Sequence, residues 1–199
     1  LTQVRKSWAT KLENQITKGL EDLNFLNVEF EIRFSQKEKF SPQGKDSICF
    51  MISTNPGEPV RELSKVVSGG ELSRIMLAIK TLLADKDDTE TLIFDEIDTG
   101  ISGRTAQKVA EKMAVISRNH QIICITHLPQ IASQANAHYL IEKNVEEKGT
   151  TTRIRGLSYE ESVEELARML GGAKITEAVL QNAAEMKDLA QQQKNTRLK

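Results

Sequence analysis

The chain has 199 residues, 39% of them hydrophobic and 28% charged, with a formal net charge of −1 at pH 7. That suffices for one good core with a small appendage, and it leaves no overall basic field, so any DNA contact has to come from a local patch. No apolar run approaches the roughly 18 residues of a membrane span, no secretory signal is visible, and Cys49 and Cys124, in apolar stretches without metal-type spacing, read as buried thiols of a reducing compartment.

Residues 1 to 23 set Leu1, Val4, Trp8, Leu12, Ile16, Leu20 and Leu23 at spacings of three or four, the mark of an amphipathic helix. Such a helix is either the end of a coiled coil or an ordinary packing helix. VEFEIRF (28–34) and ICFMIST (48–54) read as strands, joined by a polar, turn-rich linker into a hairpin. NPGEP (55–59) is a loop. A helix follows over about 70–84, with Leu72, Ile75, Met76, Ile79, Leu82 and Leu83 as its buried face. Next come a strand at 91–95, a helix at about 103–118, a strand at 121–126, a short helix after Pro129 and a strand at 137–142. Apolar strands alternating with helices imply a parallel sheet covered on both faces. TTRIRGL (151–157) pairs with 137–142 as an edge hairpin, two helices split by Gly171-Gly172 close the chain, and the basic end at 191–199 is expected to fray.

Three stretches carry chemistry. Ser68-Gly69-Gly70-Glu71 opens a helix, and a capping box explains Ser68 and Glu71 but not two successive glycines. Bare glycine backbone at a helix N-terminus lets a phosphate approach the amides. The strand Thr91-Leu92-Ile93-Phe94 ends in Asp95 and Glu96. A first carboxylate there can hold Mg²⁺ through its water shell, and a second can orient or deprotonate a water. The strand QIICIT ends at Thr126-His127, on the strand-end rim where open α/β sheets bind ligands. Between them lies the loop Asp98 to Gly103, with Ser102 as a helix cap; His120 and His138 read as structural or surface histidines.

In this order the stretches resemble the ATP-binding cassette superfamily: signature motif, Walker B, D-loop and switch histidine. Within it, STNPGEPVREL, SGGELSRI, FDEIDTGISG, ITHLPQIA and LARMLGG, spread over about residues 53 to 172, are similar to the RecN family of bacterial DNA-repair proteins, relatives of the SMC and cohesin-type ATPases. The resemblance implies an α/β fold, the C-terminal lobe of an ATPase head over 24–199, with a largely parallel sheet flanked by helices. Residues 1–23 would be the returning end of a coiled coil. It implies ATP and Mg²⁺ as cofactors, Asp95 supporting the metal, Glu96 as general base and His127 sensing the γ-phosphate. Asp98 would couple two sites across a dimer, while Ser68, Gly69, Gly70 and Glu71 would complete the partner's site.

The phosphate loop of such an ATPase is missing. Gly44-Lys45-Asp46-Ser47 has Asp where the hydroxyl residue belongs and lies in a hairpin, so it is rejected. The chain, which starts at Leu1 without a methionine, is therefore expected to be a piece of a longer protein, inactive alone. The partners implied are the N-terminal lobe, a second head through sandwiched ATP, and DNA, with no membrane and a cytoplasmic, nucleoid-associated location. The function implied is ATP hydrolysis in DNA double-strand break repair and recombination. Rival readings are an ATP-gated DNA clamp or tether, and a non-catalytic interaction module. The scattered Arg5, Lys6, Lys11, Lys18, Arg153 and Arg155 read as solvated faces.

Overall fold

Helix α1 (Thr2–Glu21) forms as its spacing predicts and buries Ala9, Ile16 and Leu20. Beside it β1 (Glu29–Ser41) and β2 (Gly44–Ser53) pair antiparallel, Phe30 facing Ile52 in the core. The hairpin is longer than the sequence suggests. The linker continues the ladder, with Gln36 opposite Asp46 and Ser41 opposite Gly44 across a register shift, so only Pro42 and Gln43 turn. Two causes are visible. Gly44 takes φ +92°, which favours glycine, and α1 clamps the tip: Arg5 donates to Gln43 O and to Asp46 Oδ2, both at 2.8 Å, and Thr2 to Asp46 Oδ1 at 2.7 Å. After the 54–60 loop, the two-residue β3 (Arg61–Glu62) joins β2.

Helix α2 (Gly69–Leu83) packs against both α1 and α3 (Gly103–Ile116). It therefore buries more than one face: Arg74, Leu77 and Ala78 join Ile75 and Ile79, and Ala78 seats on Gly19. Leu82 and Leu83, expected inside, are exposed in the last turn. The strands β4 (Thr91–Phe94) and β5 (Gln121–Cys124), linked through α3, pair parallel, with Thr91 beside Gln121 and Phe94 beside Cys124. Among the described residues parallel pairing is confined to these two strands, because the other sheets are built of hairpins, which close antiparallel.

The computed structural model describes residues 1–65, 68–146, 149–172 and 174–196. The elements above form one unit, Leu1–Ile125; a second, Thr126–Lys199, has its own small core. In the second unit α4 (Pro129–Ala132) precedes the antiparallel pair β6 (Tyr139–Glu146) and β7 (Gly149–Gly156). Helices α5 (Tyr159–Gly171) and α6 (Glu177–Thr196) then pack through Leu166, Ala167 and Ala183. Helix α6 runs through the start of the stretch expected to fray, 191–199, to Thr196, where Lys194 donates to Gln134 O and, at 2.7 Å, to Asn136 Oδ1. The rest of that stretch, 197–199, lies outside the described residues. Among the described residues no helix is long and apolar enough to cross a membrane.

Candidate functional site

Ser68 caps α2, its Oγ accepting from the Glu71 N–H at 3.4 Å. The reverse arm of the capping box is absent among the described residues: Glu71 instead lines, with Thr54, Asn55, Arg61, Lys65 and Ser68, a cleft of about 340 Å³. Arg61 and Lys65 bring two cations to this cleft, although each also meets a neighbouring glutamate at 3.2 Å.

The two glycines acquire a physical reason from the turn that follows β4. There the Glu96 N–H donates to Asp95 Oδ1 at 2.9 Å, and the Thr99 N–H donates to Glu96 O at 3.0 Å. Glu96 itself adopts φ +55°, a left-handed conformation that costs a side-chain-bearing residue about 1 kcal/mol or more. Ile97 and Asp98 are buried beneath it. A Cβ on Gly70 would stand 2.8 Å from Glu96 O and 2.9 Å from Thr99 Cβ, and one on Gly69 would run into the Glu96 carboxylate. At Gly70 only bare backbone lets the start of α2 press onto this turn, whereas at Gly69 the obstacle is the end of the Glu96 side chain. The Glu96 carboxylate thereby rests at the positive end of the helix.

Two side chains that the sequence reading did not single out lock the junction. Ser73 Oγ donates to Asp95 O at 2.9 Å. Arg74 donates through Nη1 to Ile97 O at 3.3 Å and to Thr99 O at 2.8 Å. Its guanidinium lies 5.5 Å from the Phe25 ring centroid, and its Nε has no partner among the described residues. Burial lowers the Arg74 pKa, opposed by the charge of Glu71. Arg74 lies off the apolar face formed by Leu72, Ile75, Met76, Ile79, Leu82 and Leu83, so spacing in the sequence carried no signal for it.

Asp95 and Glu96 are exposed on the rim, while Asp98 is 4% exposed. Burial, then the charges of Asp98 and Asp95, push the half-buried Cys124 thiol up to about 12, which keeps it protonated and unreactive. The other cysteine, Cys49, is likewise half-buried and free. No group of three or more His, Cys, Asp or Glu among the described residues is arranged to hold a metal. A single rim carboxylate such as Asp95 suits Mg²⁺, which relies on one or two carboxylates plus substrate phosphates and water. His127 is exposed in the turn before α4, where the Leu128 N–H donates to Thr126 Oγ1 at 3.0 Å, and it belongs to the second unit. His120, as expected, is structural: its ring nitrogens meet Thr89 O at 2.6 Å and Ala84 O at 3.1 Å.

No family model matches the chain. Over 98% of its length it is 43% identical to the DNA repair protein RecN of Bacillus subtilis strain 168, of which it covers 37%. Over 96% it is 46% identical to the DNA repair protein RecN of Halalkalibacterium halodurans, of which it covers 34%. Nearly the whole chain is thus similar to part of RecN proteins. It spans roughly a third of the length of these relatives. The fold of the chain is similar to that of the Smc head domain with a coiled coil and joint from Pyrococcus yayanosii, with a TM-score of 0.57 and 19% identity over 82% of this chain and 29% of that one.

Proposed function

We propose that this chain is one half of a composite ATP site in an SMC-like head that works in DNA double-strand break repair and recombination. The observation that carries the reading is the α2–turn junction. Gly69 and Gly70 bring a helix N-terminus and two exposed carboxylates onto one rim, and the positive end of a helix favours an anion such as phosphate.

In this reading Ser68, Gly69, Gly70 and Glu71 face the nucleotide of a second head, and Asp95 supports Mg²⁺. The metal, when bound, supplies charge neutralisation of the phosphates. Glu96, the general base, is held in its left-handed turn by the Thr99 N–H and by the α2 start, a form of strain typical of functional positions. Asp98 shapes the turn from beneath, and His127 takes the γ-phosphate-sensing role.

Two open apolar surfaces support the assignment of partners. On the parallel pair, Ile93 and its register neighbour Ile123 are 69% and 45% exposed, and Ile125 is 51% exposed. A parallel sheet is covered on both faces in stable proteins, so this face takes the N-terminal lobe that carries the phosphate loop. On α1, Leu1, Val4 and Trp8 form an exposed stripe away from the core, suited to the opposing helix of a coiled coil. Head dimerisation, DNA as the partner and a cytoplasmic, nucleoid-associated location follow from the same reading.

The test is Glu96→Gln in the full-length protein. ATP binding should persist, the closed dimer should live longer, and turnover should fall by about 10²- to 10⁴-fold. Turnover at the wild-type rate withdraws Glu96 as the base. If DNA retention survives in this variant, hydrolysis only resets a DNA clamp.

A further inference from the structure

Lys37, Lys39 and Lys45 lie about the tip of the β1–β2 hairpin, and the first turns of α1 bring Arg5 and Lys6 alongside, although some thirty residues separate the two groups in sequence. The stretch holds two acidic side chains, Asp46 and Glu38. Asp46 is taken up by its Thr2 hydrogen bond and its 2.8 Å pair with Arg5, which together hold its carboxyl below the usual range. By count, Glu38 alone is then left against Lys6, Lys37, Lys39 and Lys45, none of which makes an ion pair among the described residues. In a chain of net charge −1 this is a local positive excess. By contrast, Arg155 on β7 is matched by Glu142 and Glu161.

The tip also presents an aromatic ring. Phe40 is 80% exposed, and Lys45 Nζ stands 4.6 Å from its ring centroid. Lys6 Nζ lies 5.9 Å from the Phe34 ring in the same way. The Arg5 and Thr2 bonds to the tip hold this arrangement in place before any ligand arrives.

We propose that the hairpin tip and the first turns of α1 form a contact for single-stranded DNA, with the lysines on the phosphates and Phe40 stacked on a base. This rests on the reading of the protein as one that acts on DNA. Lysines alone would serve any polyanion by counterion release. An exposed ring beside cations adds something only where a base is unstacked and can offer its face, which a duplex does not.

The experiment is fluorescence anisotropy of the full-length protein, without nucleotide, on an oligo-dT and on a duplex of equal length across a salt series. The oligo-dT should bind more tightly. Phe40→Ala should weaken it about tenfold and leave the duplex unaffected. The double variant K37E/K39E should weaken oligo-dT and flatten its salt dependence by about one to two units of slope, whereas K37R/K39R should restore it. Unchanged oligo-dT binding in Phe40→Ala and K37E/K39E, equal losses on duplex and oligo-dT for Phe40→Ala, or no oligo-dT binding overturns the proposal. A protein that hydrolyses ATP without hairpin-dependent binding loses this surface alone. One that binds oligo-dT through the hairpin but hydrolyses no ATP loses only the composite site.

Discussion

Helices α2 and α5 both begin with Ser-x-x-Glu, at Ser68–Glu71 and at Ser158–Glu161, and the two starts fold differently. At α5 the box is complete: Ser158 Oγ accepts the Glu161 N–H at 3.2 Å, and Glu161 accepts the Ser158 N–H at 2.8 Å and Arg155 at 2.6 Å. At α2 only the forward arm forms, at 3.4 Å, and Glu71 turns to the cleft. The intervening residues differ too: Tyr159 and Glu160 in one, two glycines pressed onto the Asp95–Thr99 turn in the other. The shared pattern marks where a helix starts. What lies inside it decides whether that start is closed for stability or left open for contact.

The largest effect should come from filling the α2 start. In Gly70→Ala the new methyl meets the backbone carbonyl of Glu96 and the side chain of Thr99, so the chain should lose about 1–3 kcal/mol, read as a fall in denaturant midpoint. Gly69→Ala meets only the end of the Glu96 side chain and gains helix propensity of up to about 1 kcal/mol. Its stability should stay near wild type while ATP turnover of the full-length protein falls, because Glu96 must shift. Equal stability losses at the two positions would remove the distinction between a packing glycine and a site glycine.

A smaller effect separates the caps. Ser158→Ala should cost about 1 kcal/mol, and Ser68→Ala a few tenths, given its longer bond. In turnover the order should reverse, with Ser68→Ala the damaging change. A larger stability loss at Ser68 than at Ser158 would mean that the α2 cap is structural after all.

The order and type of the main elements were legible in the sequence, because apolar spacing and punctuation by Gly and Pro report local structure. The rim pair Asp95 and Glu96 was legible for the same reason, as the end of a short apolar strand. Arg74 was not, since its partners, Ile97 O and Thr99 O, are 23 and 25 residues away and only the packing of α2 on the turn brings them into reach. The packing need for Gly70 was hidden likewise: a glycine in a cap pattern does not say which backbone will approach it. The hairpin charge was missed because Lys37, Lys39 and Lys45 meet Arg5 and Lys6 only through the tertiary clamp on the tip.

The smallest effect concerns acid. Glu161 has its carboxyl held below its ordinary value of 4.5, first by the Ser158 backbone N–H and then by Arg155. A carboxylate whose folded pKa is depressed contributes stability above its unfolded pKa and loses it as pH falls through the folded one. Glu161→Gln keeps a side-chain acceptor for the Ser158 N–H but gives up the charge toward Arg155. The variant should therefore be less stable than wild type at pH 6, and the gap should close as the pH drops below 4.5. Urea melts at a series of pH values measure this directly. A gap that persists unchanged at the lowest pH would assign the α5 start to packing rather than to its charged box, and the contrast with α2 would then rest on the glycines alone.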